Sequence, residues 1–144
     1  MNIGILLRTP FFKLVEEIHN TLAEKGYPEI RPAHGNVFQF IGKNGARITD
    51  MAKKAHMTKQ SMSYLVYYLE EHGYVEQASD DTDARAIIFR LTNKGRKAVD
   101  IAEEVIKEVQ MKWKKALGKD KYDELWRLLV TLNESLIPSQ QKPT

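Results

Sequence analysis

The chain has 144 residues, of which 28% are charged and 42% hydrophobic, and its formal net charge at pH 7 is +3. This balance is typical of one folded, water-soluble domain and excludes a disordered or membrane-embedded chain. The absence of cysteine excludes disulfides, thiolate metal sites and thiol catalysis, and it favours a reducing, cytoplasmic location. The apolar start MNIGILLRTPFF lacks a basic beginning and a small-residue cleavage site, so we expect neither a signal peptide nor a membrane segment.

Apolar residues at helical spacing organise the first part of the chain. Thr9 and Pro10 suit an N-cap and a first helical position. Apolar side chains then recur every three or four residues until Gly26, which predicts a first helix. Prolines mark a loop after it, and a shorter helix is expected in AHGNVFQFIGKNG, where two glycines end it.

Two further apolar sets lie close together in RITDMAKKAHMTKQSMSYLVYYLEEHGYV. Only His56 and Met57 separate the first set from Thr58, a typical N-cap residue. A short helix, a tight turn and a second helix whose apolar stripe begins late indicate a helix-turn-helix. The residues from Thr58 to Ser61 are then free to face outward. Three aromatic residues in the second helix are expected to pack against neighbouring helices: Tyr64, Tyr67 and Tyr68.

A hairpin and two long helices are expected to follow. YVEQA and AIIFRL are short β-prone runs on either side of the polar segment SDDTDAR, which we place at the hairpin tip. Strand alternation predicts four core-facing side chains: Val75, Ile87, Phe89 and Leu91. Thr92 would cap a helix that ends near Leu117, and a last helix would run from Tyr122 to Ile137. The tail PSQQKPT is expected to be disordered.

Basic charge is concentrated at the predicted helix-turn-helix. Residues 43–67 contain one acidic residue, Asp50, against five basic ones: Lys43, Arg47, Lys53, Lys54 and Lys59. This balance predicts a surface for DNA phosphates, with Arg47 and Lys53 as candidate contacts. An ordinary solvated surface is the alternative interpretation.

The front of the second helix carries five hydrogen-bonding side chains: Thr58, Lys59, Gln60, Ser61 and Ser63. Glutamine can pair with both edge groups of adenine and lysine can reach the acceptors of guanine, so the set suits base reading in a major groove. Capping of the helix explains Thr58 and Ser61 without DNA, but it leaves Lys59 and Gln60 unexplained.

These residues resemble the winged helix-turn-helix core of the MarR family of bacterial and archaeal transcription regulators. MTKQSMSYLVYYLEEHGYV, DDTDAR and LTNKGR carry the resemblance, in the family's order and spacing. Two wing positions differ from the family's usual pattern, since Asp81 stands in place of proline and Ala84 in place of glycine. The resemblance implies a mainly α (α+β) fold in a single domain. Its parts would be a winged core over about 32–96 and dimerisation helices over about 1–30 and 97–138.

The resemblance also implies roles for the wing and for an effector site. Arg85 would be the wing residue that enters a minor groove, with Asp83 orienting it. A hairpin-stabilising ion pair between the two residues is the alternative. A small aromatic or anionic ligand would bind in a cleft lined by Phe12, His34 and Phe38, for which core packing is the alternative.

The resulting hypothesis is a homodimeric repressor, released by a ligand, that binds double-stranded DNA at a pseudo-palindromic operator and catalyses no reaction. We expect no cofactor and no metal site, because the four histidines are scattered and cysteine is absent. Two other classes stay open at this point. One is a winged-helix protein-interaction module without ligand sensing, and the other is a metal-dependent enzyme or metal sensor.

Overall fold

The computed structural model describes residues 1–138, and these form six α-helices, one short 3-10 turn and a two-stranded antiparallel sheet. The predicted mainly α winged helix-turn-helix fold is therefore confirmed. The chain divides into two compact units. The first contains Met1–Ile30 and Asp100–Leu136, and the second is built on Arg31–Val99.

Helix α1 spans Ile3–Glu24 and begins seven residues before Pro10, the first helical position predicted from the sequence. Its N-cap is Asn2, whose Oδ1 accepts a hydrogen bond from the backbone N–H of Ile5 at 3.1 Å. The predicted N-cap at Thr9 was wrong, because Asn2 caps the helix about two turns earlier, where it satisfies a free backbone donor. Pro10 consequently lies inside the helix, where it lacks an N–H to continue the hydrogen-bond ladder.

Helix α6, the last of the first unit, spans Lys119–Leu136 and also begins earlier than predicted, three residues before Tyr122. Gly118 separates it from the preceding helix with a φ of 82°, a left-handed conformation that glycine adopts without strain. The expected disorder of PSQQKPT falls, apart from Pro138, outside the described residues.

Helices α1 and α6 expose much of their apolar surface. Leu22 is the one residue of α1 that is buried, and α6 has none. The exposed apolar residues of α1 are Ile3, Ile5, Leu6, Leu7, Phe11 and Phe12, and those of α6 are Leu125, Trp126, Leu128, Leu129, Val130, Leu132 and Leu136. A set this large exceeds the scattered exposure that is normal on a protein surface.

The second unit begins with the 3-10 turn Pro32–His34 and helix α2, Gly35–Phe40. Helices α3, Ile48–Lys54, and α4, Lys59–Glu71, follow at the predicted positions. The turn between them includes His56, whose φ of 55° is uncommon for a residue with a side chain, although histidine tolerates it better than most. Thr58 caps α4 as predicted. Four α4 residues are buried in the core of the unit: Met62, Leu65, Val66 and Leu69.

Strands β1, Val75–Asp80, and β2, Asp83–Leu91, form the hairpin, here called the wing. Pairing extends further toward the tip than the sequence predicted, to Asp80 opposite Asp83, with a bulge between Ser79 and Asp80. Val75 and Phe89 are buried as expected, and Leu91 is half-buried. The prediction that Ile87 faces the core was wrong, because 55% of Ile87 is exposed.

The base of the wing is fixed to the segment before α3. Ala46 and Phe89 exchange two backbone hydrogen bonds, each 2.9 Å long, and so form an isolated antiparallel bridge. Gly45 makes this approach possible, because a Cβ at its position would lie 2.6 Å from the carbonyl oxygen of Phe89 and its φ is +86°. Helix α5, Asn93–Leu117, then begins after Thr92, whose Oγ1 accepts the N–H of Gly95 at 3.1 Å.

Candidate nucleic-acid interface

The front of α4 combines a closed capping pair with free polar side chains. The hydroxyl of Thr58 accepts the backbone N–H of Ser61 at 3.0 Å and donates to the hydroxyl of Ser61 at 2.9 Å. These two side chains therefore satisfy each other and the helix end, as capping requires. Lys59 and Gln60 are exposed and make no hydrogen bond or ion pair within the described residues, while Ser63 is half-buried. Lys59 and Gln60 are thus the predicted contacts best able to accept a partner.

Gln60 and Ser61 also line a surface hollow. Its other lining residues are Ala33, Asn36, Met57, Tyr64 and Leu65. Tyr64 lies one helical turn beyond Gln60, and 75% of it is exposed. The prediction that Tyr64 packs against neighbouring helices was therefore wrong. The four-residue spacing between Gln60 and Tyr64 could have predicted that both line this hollow, because it places them on one helix face. The position of Asn36 in the hollow depends on a contact between elements, which no local sequence pattern predicts.

The predicted basic residues divide into free and paired groups. Lys43, Lys53 and Lys59 are exposed, and Lys54 is half-buried. Arg47 instead reaches the wing, where its Nε and Nη2 donate to Oδ2 of Asp80 at 2.8 and 2.7 Å. The structure thus leaves the lysines available to an anion and binds the guanidinium of Arg47 to an acid.

Asp80 is the most fully bonded carboxylate of the wing. Besides the two contacts with Arg47, its Oδ1 accepts the hydroxyl of Thr82 at 2.7 Å and the backbone N–H of Thr82 at 2.9 Å. These bonds, first those from Thr82 and then that from Arg47, lower the pKa of Asp80 to about 2. The same partnership raises the pKa of Arg47, chiefly through the hydrogen bond to Asp80. Only 15% of the Asp80 side chain is exposed, so this acid is turned back toward the protein.

Asp83 and Arg85 form a similar aspartate–arginine pair at the other side of the tip. Oδ1 of Asp83 accepts the backbone N–H of Arg85 at 3.0 Å and lies 3.4 Å from its Nε. In both turns an aspartate binds the N–H two residues further on, which is a turn that aspartate commonly makes. The Arg85 side chain is 93% exposed and projects from the wing. Asp81, at the turn itself, is exposed and has no hydrogen bond or ion pair among residues 1–138, unlike Asp80 and Asp83.

Charge on the α3 side of the wing is mixed. A hollow there is lined by three basic residues, Lys43, Arg47 and Lys54, and by three acidic ones, Asp50, Asp80 and Asp81. The charges of this hollow balance, so the net positive surface comes from lysines outside it, Lys53 and Lys59.

Residues 30–86, which contain all of this geometry, match the sequence profile of the MarR family. This segment of the chain is therefore similar to the MarR family. The transcriptional regulator Tm0710 from Thermotoga maritima is 25% identical, with a TM-score of 0.62 over 92% of each chain. Streptococcus pneumoniae FabT in complex with DNA is 20% identical, with a TM-score of 0.78 over 93% of this chain and 94% of FabT.

CouR from Rhodococcus jostii RHA1, solved with p-coumaroyl-CoA, is another structure with a similar fold. It is 20% identical to this chain and has a TM-score of 0.72 over 96% of this chain and 94% of CouR. At this identity the likeness establishes the fold. No functionally curated protein matches the sequence at a significant level.

The residues suggested for an effector site belong to different units. Phe12, in α1, is half exposed, and the guanidinium of Arg8 lies 4.6 Å from its ring centroid. His34 is buried in the second unit, where its ring stacks on Tyr68 at 4.8 Å and its Nδ1 accepts the N–H of Arg31 at 2.8 Å. Phe38 is half-buried. His34 therefore has a packing role, and the effector site stays a prediction.

Among residues 1–138, no group of three or more histidine or acidic side chains is placed to hold a metal ion. In the same part of the chain, no helix has the length and apolar character needed to cross a bilayer.

Proposed function

We propose that this chain is a MarR-family regulator that binds double-stranded DNA sequence-specifically as a homodimer and represses transcription until a small ligand releases it. One observation carries the proposal: α4 buries its later residues in the core and leaves Lys59 and Gln60 at its front exposed and without a partner in the described chain. A helix held in this way can enter a major groove with its first turn against the base edges. FabT, with the same fold, was solved in complex with DNA.

The wing supplies the second contact of the proposed interface. Arg85 projects into solvent, and a minor groove narrowed by A·T pairs concentrates the negative potential that attracts an arginine. The hydrogen bonds from Arg85 to Asp83 restrict the residue before binding, which reduces the conformational entropy lost when DNA orders it. In this proposal Lys53 and the paired Arg47 contact phosphates, and Thr58, Ser61 and Ser63 lie beside the bases or their phosphates.

The homodimer is proposed from the apolar surfaces of α1 and α6. Burial of such surfaces against a second copy is a strong favourable term in association. A two-fold axis would place two copies of α4 about 34 Å apart, the distance between successive major grooves on one side of DNA. We also propose that the chain is one domain, divided into a winged core and dimerisation helices.

Release by a ligand requires a molecule with different affinities for DNA-binding and non-binding states. CouR, with the same fold, binds p-coumaroyl-CoA, an aromatic and anionic molecule. We therefore propose a small aromatic or anionic effector. Because the proposed partner is DNA, we propose a cytoplasmic location. The proposed mechanism includes no catalysed reaction.

Selection of duplexes from a random pool tests this function. The protein is mixed with random double-stranded DNA at physiological salt, bound duplexes are recovered over several rounds, and the enriched pool is sequenced. We expect two inverted half-sites whose centres lie about 10 base pairs, or a multiple, apart. The double variant Lys59→Ala, Gln60→Ala should lose the enriched motif, whereas Lys107→Ala, an exposed lysine of α5, should recover the same one. Failure of the wild-type protein to enrich any duplex would contradict the proposal.

A further inference from the structure

The three tyrosines of α4 have different surroundings. The ring of Tyr67 packs edge-on against Phe89 at 5.6 Å, and the ring of Tyr68 stacks on His34 at 4.8 Å. Tyr64 is 75% exposed, and among residues 1–138 it has no ring contact and no hydrogen bond. Tyr67, although 50% exposed, and Tyr68 thus have ring contacts within the unit, whereas Tyr64 has none among residues 1–138.

The position of Tyr64 on α4 matters more than its exposure, since single exposed apolar residues are common. Tyr64 follows Gln60 by four residues, and side chains at that spacing are neighbours on one helix face. Both residues line the hollow that also includes Ala33, Asn36 and Met57. A large aromatic ring is therefore presented beside the amide proposed to read a base.

We propose that Tyr64 is a specificity-determining residue whose ring contacts the C5-methyl group of a thymine, one or two base pairs from the base read by Gln60. This inference rests on the proposed DNA-binding function. The thymine methyl is the apolar group that base edges present in the major groove, and side chains with apolar surface recognise it. One turn of helix rises 5.4 Å and successive base pairs are about 3.4 Å apart, so Gln60 and Tyr64 reach neighbouring pairs.

The phenolic hydroxyl offers a competing explanation, because tyrosine also donates hydrogen bonds to DNA phosphates. A phosphate contact would need the hydroxyl and would be indifferent to the base. A methyl contact needs the ring and one particular thymine. Tyr64→Phe, which keeps the ring and removes the hydroxyl, separates the two explanations.

Replacement of single thymines by deoxyuridine tests the inference, because it removes one methyl group and keeps the base pairing. A duplex enriched from the random pool is made with each thymine replaced in turn, and its Kd is measured for wild type, Tyr64→Ala and Tyr64→Phe. For wild type we expect one thymine in each half-site whose replacement weakens binding about fourfold, the effect of losing one buried methyl contact. Tyr64→Ala should bind the two duplexes equally well, and Tyr64→Phe should discriminate as wild type does.

Three results would overturn the inference. They are continued discrimination of thymine from deoxyuridine by Tyr64→Ala at the same position, no response of wild type to any replacement, and behaviour of Tyr64→Phe like that of Tyr64→Ala. If wild type binds the duplex with steep salt dependence in these cases, only the role of Tyr64 fails. If wild type retains no duplex at any salt concentration, the proposed function fails too. Tyr64→Gln, which keeps a long polar side chain on the exposed helix face, gives the same comparison if Tyr64→Ala does not fold.

Discussion

Asp80 of the wing holds Arg47 of the segment before α3, with its Oδ2 2.8 Å from Nε and 2.7 Å from Nη2. The other carboxylate oxygen is bound twice by Thr82. An acid in a basic, proposed DNA-binding region therefore has a structural role, since it joins the tip of the hairpin to the entry of the helix-turn-helix. Asp83 binds Arg85 in a similar way, so two of the three wing aspartates each restrain an arginine.

Asp80→Asn tests the joint between the wing and the helix-turn-helix. The substitution removes a negative charge and weakens the hold on Arg47, so binding to random DNA should become tighter while discrimination between the selected duplex and random DNA falls. The measurement is the ratio of the two Kd values at physiological salt. Asp81→Asn is the matched control, because it removes the same charge from a residue without a partner in the described chain. Equal ratios in the two variants would contradict a role for the joint.

The ionisation of Asp80 gives a pH prediction. Its pKa is lowered from 3.8 to about 2, so the stabilisation that ionised Asp80 provides is fully present above pH 3.8. That stabilisation is lost as pH falls from 3.8 through about 2. Carbon-detected NMR of the Asp80 carboxyl should give a midpoint near 2, and Thr82→Val should raise the midpoint toward 3.8. A wild-type midpoint near 3.8 would mean that the hydrogen bonds of Asp80 do not persist in solution.

Arg85→Ala should weaken binding to the selected duplex about tenfold, the loss expected for one good groove contact. The exposed side chain contributes little to the fold, so helix content and oligomeric state should not change. A gel shift gives the affinity, and circular dichroism with sedimentation gives the controls. An affinity equal to that of wild type would remove Arg85 from the proposed interface.

Gln60→Ala should relax base preference more than it lowers affinity for random DNA. A glutamine that pairs with adenine contributes about tenfold or more to discrimination against other bases. The test compares the affinities of wild type and variant for the selected duplex and for duplexes changed at single positions. Loss at one position per half-site supports base reading, whereas a uniform loss across all sequences would make Gln60 a phosphate contact.

Local sequence signals were sufficient for the helix-turn-helix and its cap. Thr58 is an N-cap residue four positions before Met62, where a periodic apolar stripe begins, and both features depend only on near neighbours in the chain. The predicted start of α1 was wrong, although Thr9-Pro10 is a good local signal for a helix start. The helix begins earlier, at a second acceptable cap, Asn2. Chain periodicity alone does not decide between two acceptable caps.

Contacts between distant segments explain what the sequence could not predict. Arg47 and Asp80 are 33 residues apart, so their pairing depends on how the wing folds back on α3. Strand alternation predicts that Ile87 faces the core, as Phe89 does. Whether Ile87 is buried depends on how far the hairpin extends beyond the core, which the local sequence does not show. Tyr64 was assigned to packing because aromatic residues usually pack, and only the tertiary arrangement of α4 distinguishes it from Tyr67 and Tyr68.

Salt dependence of binding tests most directly whether this basic surface binds DNA. The Kd for the selected duplex is measured between low and physiological salt for wild type, for Lys53→Ala and for Lys107→Ala, an exposed lysine of α5 that serves as the matched control. We expect log affinity to fall linearly with log salt, with a slope of about −0.9 for each phosphate contacted, and Lys53→Ala to reduce that slope by about one while Lys107→Ala leaves it unchanged. Absence of binding at low salt, or an affinity that does not change with salt, would contradict the account.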